Sequence, residues 1–206
     1  KIAFYWAASC GGCEIAVLDT NEKILDIAKM ADIVFWPVAI DTKYEAVEAM
    51  PDKHIDITFF NGSIRNSEQE HMAKLLRQKS KTLVAFGSCA HEGCIPGLAN
   101  LNDRNEIFSQ VYIKDKSNVN PNVITPKTVT QVKEGALKLP EFYDTVSTLA
   151  QTVDVDYYLP GCPPRPEALI HRGMALYRQG RYAEALEDFN RAQNLDPTIP
   201  LLFNNR

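Results

Sequence analysis

A long apolar run is missing from this chain. The longest, Ile33 to Ile40, is too short to cross a bilayer, which takes about 20 residues, so no membrane span is expected. An excess of positive charge is missing too. The 22 Lys and Arg face 26 Asp and Glu for a net charge of −4, and without a basic stripe nucleic-acid binding has no electrostatic footprint. There is no phosphate loop, since Gly11-Gly12 lacks the further glycine and the lysine that nucleotide motifs need. No serine–histidine–carboxylate grouping stands out either, and His54, His71 and His171 form no constellation. Cysteine is scarce and odd in number, five in 206 residues, and a chain this long has no need of disulfide staples. With 45% hydrophobic and 23% charged residues, disorder and collagen-like structure drop out. One sizeable core is expected, with room for an appendage. The chain opens on Lys1 rather than Met, which leaves room for a processed amino-terminal segment, and no signal peptide is expected within the 206 residues.

What is present is an alternation of strands and helices. Lys1–Trp6, Ala31–Trp36, Ile55–Phe60, Thr82–Phe86 and Val155–Leu159 read as strands, mostly apolar as buried parallel strands are. Helices are expected over about Cys13–Lys29, over Ser67–Lys79 with a cap at Asn66 or Ser67, and over Glu141–Gln151. Asn61-Gly62 reads as a turn, and Asn102–Pro140, rich in Asn, Pro, Lys and Thr, as mostly loop. The expected fold is α/β, a parallel sheet with helices on both faces.

Ligands of such sheets sit outside the carboxyl ends of the strands. Cys10 and Cys13 follow the first strand, Cys89 the fourth and Cys162 the last, so all four fall on one edge. Four thiolates converging there suit an iron–sulfur cluster or a zinc ion. Structural zinc usually draws on two close Cys-x-x-Cys knuckles, whereas here one pair is joined by two distant single cysteines. A cubane is wide enough to collect ligands from several loops. The small residues Ser9, Gly11, Gly12, Gly87, Ser88 and Gly161 leave backbone N–H groups free for cluster sulfur. Pro160 and Pro163-Pro164 stiffen the last ligand segment. A thioredoxin-type dithiol at Cys10 and Cys13, opening a helix after a strand, is the competing reading; it leaves Cys89 and Cys162 unexplained. Inert buried thiols remain the bland one.

Beyond Pro166 the character changes. Gly173, Leu176, Gly180, Tyr182, Ala185, Phe189, Ala192 and Pro197 stand at the offsets of a tetratricopeptide-type helix-turn-helix. Two parts are therefore expected, 1–165 and a helical hairpin over 166–206. A single such repeat cannot bury its own apolar face, so the hairpin must dock on the first part, pack on a partner or continue in a longer chain.

Three segments, YWAASCGGCE, VAFGSCAHEGCIPGLAN and VDYYLPGCPP, together resemble the small subunit of nickel–iron hydrogenases, most closely the cytoplasmic methyl-viologen-reducing type linked to heterodisulfide reductase in methanogens. The resemblance covers about residues 1–165. It implies a flavodoxin-like domain carrying one 4Fe-4S cluster on Cys10, Cys13, Cys89 and Cys162. It also implies a cytoplasmic chain paired with a hydrogenase large subunit that holds the nickel–iron site, since this chain has no second Cys-x-x-Cys pair to hold nickel. The related quinone-reductase subunit of respiratory complex I usually has adjacent cysteines in the first motif, which this sequence lacks.

The same resemblance places Glu14 between cluster and large subunit as a candidate proton-path residue, and puts Gly62-Ser63 near the subunit contact. For Glu14 the plainer reading is a first-turn carboxylate favoured by the helix dipole. His91 reads as a surface-loop histidine, or more sharply as a partner of cluster sulfur. Cys94 stands where the family commonly has glycine, and reads as a small buried residue or as an additional ligand or redox-active thiol. The cysteine-rich continuation of many relatives, which holds two further clusters, is absent from these 206 residues. An electron-transfer subunit is thus expected, passing electrons to an acceptor protein. An adaptor built on the helical tail and a dithiol oxidoreductase are the rivals.

Overall fold

The computed structural model describes residues 1–166. Its strands are β1 (Ile2–Trp6), β2 (Ile33–Phe35), β3 (Ile55–Asn61), β4 (Ile64–Asn66), β5 (Ser80–Phe86), β6 (Val129–Val132), β7 (Gly135–Lys138), β8 (Phe142–Ser147) and β9 (Tyr157–Leu159). Its α-helices are α1 (Gly12–Leu18), α2 (Lys23–Met30), α3 (Tyr44–Glu48), α4 (Ser67–Lys79), α5 (Ser88–Glu92), α6 (Cys94–Gly97) and α7 (Arg104–Phe108).

Successive side chains of a strand point to opposite faces, and here both faces are apolar. Ile2, Phe4, Ile57, Phe59, Val84, Phe86 and Leu159 build one core with Val17 of α1, and Ile24 and Ile27 of α2 pack against it. Ala3, Tyr5, Phe60, Leu83 and Ala85 build the other with Met72, Ala73, Leu75 and Leu76 of α4. Each fully buried Phe or Leu adds about 1.5–3 kcal/mol of transfer free energy. With two apolar faces to cover, the strands pair in parallel in the order β2-β1-β3-β5-β9. Counted within the sheet this is 2-1-3-4-5, the flavodoxin-like order, whose ligand crevice opens between the first and third strands.

The expected α/β class, the helices on both faces and the existence of the strands stand, with β5 starting at Ser80 rather than Thr82, β2 confined to Ile33–Phe35 and β9 starting at Tyr157 rather than Val155. Asn66 caps α4, its side chain accepting a 2.9 Å hydrogen bond from the Gln69 N–H. Asn66→Ala is expected to cost about 1 kcal/mol, read as a lower urea midpoint at unchanged slope.

Three expectations are corrected. The helix over Cys13–Lys29 is two helices. The Thr20 hydroxyl donates to the Val17 carbonyl, the Asn21 amide to that of Asp19, and Asn21 takes a left-handed φ of 51°, so local side-chain bonds outcompete the helix. The helix over Glu141–Gln151 is instead strand β8 and a short 3-10 turn, Leu149–Gln151. β8 pairs antiparallel with β4, a partner distant in sequence that local periodicity cannot reveal. The stretch Asn102–Pro140 also carries more structure than a loop. Asp103 and Glu106 form a reciprocal capping box that starts α7, a π-helical Ser109–Lys114 comes next, and β6 and β7 pair as an exposed hairpin. The expected helical hairpin over 166–206 lies outside the described residues, save Pro166.

Candidate cysteine site

Because the sheet is parallel, the segments leaving β1, β3, β5 and β9 all emerge at one edge. Backbone hydrogen bonds then lock these segments together. Ala8 and Ser63 form an isolated antiparallel bridge after β1 and β3. The N–H of Gly87 donates to Leu159, that of Ser88 to the Gly161 carbonyl at 2.9 Å, and the Gly161 N–H donates to the Ser88 hydroxyl. The Ser63 hydroxyl, fully buried, donates to the carbonyls of Cys89 at 2.6 Å and Gly93 at 3.3 Å. The third cysteine segment is thus pinned from both sides, by the segment after β3 and by the one after β9.

Cys13, in the first turn of α1, and Cys89, in α5, are 6% and 5% exposed, while Cys10 and Cys162 are exposed. Burial pushes the Cys13 thiol up to about 12, with further upward pressure from Cys89, Cys10, Glu14 and Cys162. Burial likewise pushes Cys89 up to about 11, aided by Cys94, Cys162 and Cys10. The four thiols expected to act together therefore feel one another's charge. Among the described residues no three Cys, His, Asp or Glu side chains meet at single-ion distance.

Gly87 shows how tight the arrangement is. It takes φ 85°, ψ 162°, a conformation essentially reserved for glycine. A Cβ built there would stand 2.3 Å from the Cys13 sulfur and 3.6 Å from the Gly161 carbonyl oxygen. Three cysteine-bearing segments therefore meet at a point where only a backbone fits. The Gly12 N–H also faces the Cys10 sulfur at 3.4 Å. An all-thiol donor set, backbone N–H beside sulfur and a cradle that excludes a side chain fit an iron–sulfur cluster, whose positive irons would relieve the repulsion among the thiolates.

Glu14 is neither solvated nor simply a dipole-stabilised first-turn residue. It is 2% exposed, accepts a short hydrogen bond from the Trp36 indole and a 3.4 Å one from the Asn61 amide. Burial pushes its carboxyl above the usual range, and the two donors pull it back part of the way. Sequence reasoning does not single out Trp36 and Asn61 as site residues. The legible signal is only that each ends an apolar strand at the sheet edge that carries the cysteines. Gly62 and Ser63 are buried beneath that edge. His91 belongs to a helix rather than a surface loop: it is half-buried with its ring 4.9 Å from that of Tyr158, and its Nδ1 is buried without a hydrogen-bond partner. Cys94 takes a left-handed φ of 41° that a glycine would adopt freely and adds to the upward pressure on the thiols of both Cys89 and Cys162.

A family model described as "NADH ubiquinone oxidoreductase, 20 Kd subunit" matches residues 10–176, a span that begins on Cys10 and takes in all the cysteines. The chain belongs to this family. Within it the chain stands with nickel–iron hydrogenase small subunits, as the three motifs imply. It is 47% identical over 165 residues to an F420-non-reducing hydrogenase iron-sulfur subunit of Archaeoglobus profundus, covering 80% of this chain and 51% of that protein. It is 35% identical over 178 residues to an F420-non-reducing hydrogenase subunit of Methanothermobacter marburgensis, covering 86% of this chain and 53% of that one. The chain thus spans about half the length of these curated relatives. Among solved structures, a chain of the NAD+-reducing [NiFe]-hydrogenase in the H2-reduced state superposes with a TM-score of 0.73 at 28% identity, over 85% of this chain and 89% of that one. A tetratricopeptide repeat model matches residues 166–199. No helix of the described residues is long and apolar enough to cross a membrane.

Proposed function

We propose that this chain is the electron-transfer small subunit of a nickel–iron hydrogenase, holding one 4Fe-4S cluster on Cys10, Cys13, Cys89 and Cys162. The observation that carries the reading is the Gly87 cradle, where the Cys13 thiol, the Cys89 segment and the Cys162 segment are packed around one glycine. A dithiol oxidoreductase uses Cys10 and Cys13 and has no need of the other two thiols. A 4Fe-4S cluster bound there supplies one-electron transfer between a nickel–iron site on a separate large subunit and an acceptor protein. Ser63 and Ser88 hold the segments that present the ligands. Gly12 directs its N–H at ligand sulfur, which stabilises negative charge there and raises the potential. Glu14, clamped by Trp36 and Asn61 directly after the Cys13 ligand, holds a proton or a negative charge in a dry position beside the cluster.

The partner that covers this edge is a hydrogenase large subunit, in keeping with the names of the chain's relatives. A heterodisulfide-reductase-linked acceptor and a cytoplasmic setting belong to the same reading, as does a two-part chain in which 166–206 forms a separate helical appendage. Iron and acid-labile sulfide, measured on the chain purified without oxygen, are expected at about four each. An electron paramagnetic resonance spectrum of the reduced sample is expected to be that of a reduced cubane. Little iron after reconstitution with the large subunit present would sink the reading.

A further inference from the structure

Between α5 and β8 the chain makes one long excursion whose two ends are fixed at the cysteine edge. The Asn100 side chain exchanges hydrogen bonds with the Val146 backbone, donating at 2.9 Å and accepting at 2.7 Å, and Arg104 donates to the Phe142 carbonyl. β8 in turn pairs with β4, the segment that follows Gly62-Ser63. From this root residues 109–140 extend as an arm, almost all of them exposed. β6 and β7 pair only with each other among the described residues, and every residue of both is exposed. A two-stranded hairpin alone in water is marginally stable at best. Its residues alternate between faces, so Leu137 and Leu139 share a face with Thr130 while Lys138 takes the other. Val119 is 95% exposed, and Val111, Tyr112 and Ile113 are exposed as well. Apolar side chains gathered on one exposed segment mark an interaction surface.

Charge indicates what kind of surface the arm meets. Residues 109–140 carry five lysines against two acids, in a chain whose net charge is −4. At the root stands a further cation, Arg65, 7% exposed, with its guanidinium 4.3 Å from the centre of the Phe142 ring. From Phe142 a row of rings leads through Phe108 to Tyr112, at 5.2 and 5.8 Å. Nη1 of Arg65 is buried without a hydrogen-bond partner among the described residues. Burial pushes the guanidinium below its usual pKa and Asp144 pulls it back, yet the Asp144 carboxylate already accepts the Arg104 N–H at 2.9 Å. Buried charges are tolerated when they are paired, and among the described residues this one lacks a close counter-charge. We propose that residues 109–140 are a basic docking arm for an acidic face of the hydrogenase large subunit, and that a carboxylate of that face compensates Arg65. The arm is rooted at the edge where the cluster is proposed to lie, so a partner that covers the cluster also meets the arm. Two arms facing each other across a symmetric contact between copies of this chain would set lysine against lysine.

This inference rests on the reading of the chain as a hydrogenase small subunit, and iron counted on the same samples keeps the two apart. The test measures binding of the full 206-residue chain, loaded with its cluster, to the separately prepared hydrogenase large subunit without oxygen. The triple variant Lys127→Glu, Lys133→Glu, Lys138→Glu is expected to raise Kd about tenfold at low salt, mainly through slower association. The gap is expected to close as added salt shortens the reach of the charges. Lys23→Glu, Lys29→Glu, Lys43→Glu changes three exposed lysines outside the arm; it makes the same change in net charge and is expected to shift Kd less than about twofold. Arg65→Met is expected to raise Kd about tenfold while the urea midpoint of the cluster-free chain does not fall, since Met keeps the aliphatic packing and removes an uncompensated charge. All three variants are expected to keep the iron of the unaltered chain. An arm variant that binds as tightly as the unaltered chain would overturn the proposal and leave the cluster assignment untouched. So would a control variant that loses as much affinity as the arm variant, or an Arg65→Met chain whose Kd is unchanged or whose midpoint falls. Self-association of the unaltered chain that the arm variant abolishes would overturn it too, by giving the arm to a second copy.

Discussion

Cys162→Ala is expected to abolish cluster binding while leaving the fold in place. The side chain is exposed, so its removal opens no cavity and forfeits no core contact. The segment that carries it stays anchored by Ser88, whose N–H and hydroxyl bond the backbone of Gly161. The loss therefore reports ligand chemistry alone. Removing an outer-shell partner of a metal ligand already costs about 10–100-fold in affinity, and removing the ligand itself is expected to cost more. Iron and sulfide should fall to a small fraction of the unaltered chain's, hydrogen-dependent dye reduction by the assembled enzyme should be lost, and the urea midpoint of the cluster-free chain should not move. Cys94→Ala serves as the comparison: in the reduced state it is expected to keep its iron. A Cys162→Ala chain with its whole cluster and undiminished dye reduction would count against the ligand assignment.

Gly87→Ala is expected to damage both stability and cluster. The backbone at φ 85°, ψ 162° is one that an L side chain occupies only at a cost of about 1–3 kcal/mol. The new Cβ would also lie 2.3 Å from the Cys13 sulfur, well inside van der Waals contact. Cys13 cannot simply swing away, because it sits in the first turn of α1 packed with Val17 and Phe86. Either β5's exit moves and loosens the Ser88–Gly161 ties, or the thiol leaves its place. Both routes lower the denaturant midpoint of the cluster-free chain and the iron bound after reconstitution. Normal iron at a normal midpoint would show that the Cys13 thiol is not held at that point.

Much of this is legible in the order of residues, and the misreadings have physical causes. Ile2–Trp6 is apolar on both faces, which only a sheet covered on both sides tolerates. Phe142–Ser147 is different. It is half-exposed and takes strand geometry only because β4 offers it hydrogen bonds from a segment over seventy residues earlier. No local pattern carries that information. The break at Asn21, by contrast, is written in Thr20-Asn21, two residues whose side chains bond the backbone carbonyls just before them. Glu14 reads as a first-turn carboxylate because burial is not a property of a position in sequence. It depends on where Trp36 and Asn61 arrive.

Residue order alone settles the layered α/β class, the strands of the main sheet and the edge on which Cys10, Cys13, Cys89 and Cys162 lie. Hydrophobic alternation and strand order are properties of the chain read end to end, and a parallel sheet places every strand exit on the same side. Which groups touch there depends on the tertiary packing: the Gly87 backbone against the Cys13 sulfur, Ser63 beneath Cys89 and Gly93, and Trp36 and Asn61 on Glu14. Contacts of a few ångströms between segments tens of residues apart are set by how the whole sheet packs, and that is fixed by all the buried side chains together rather than by the residues that meet.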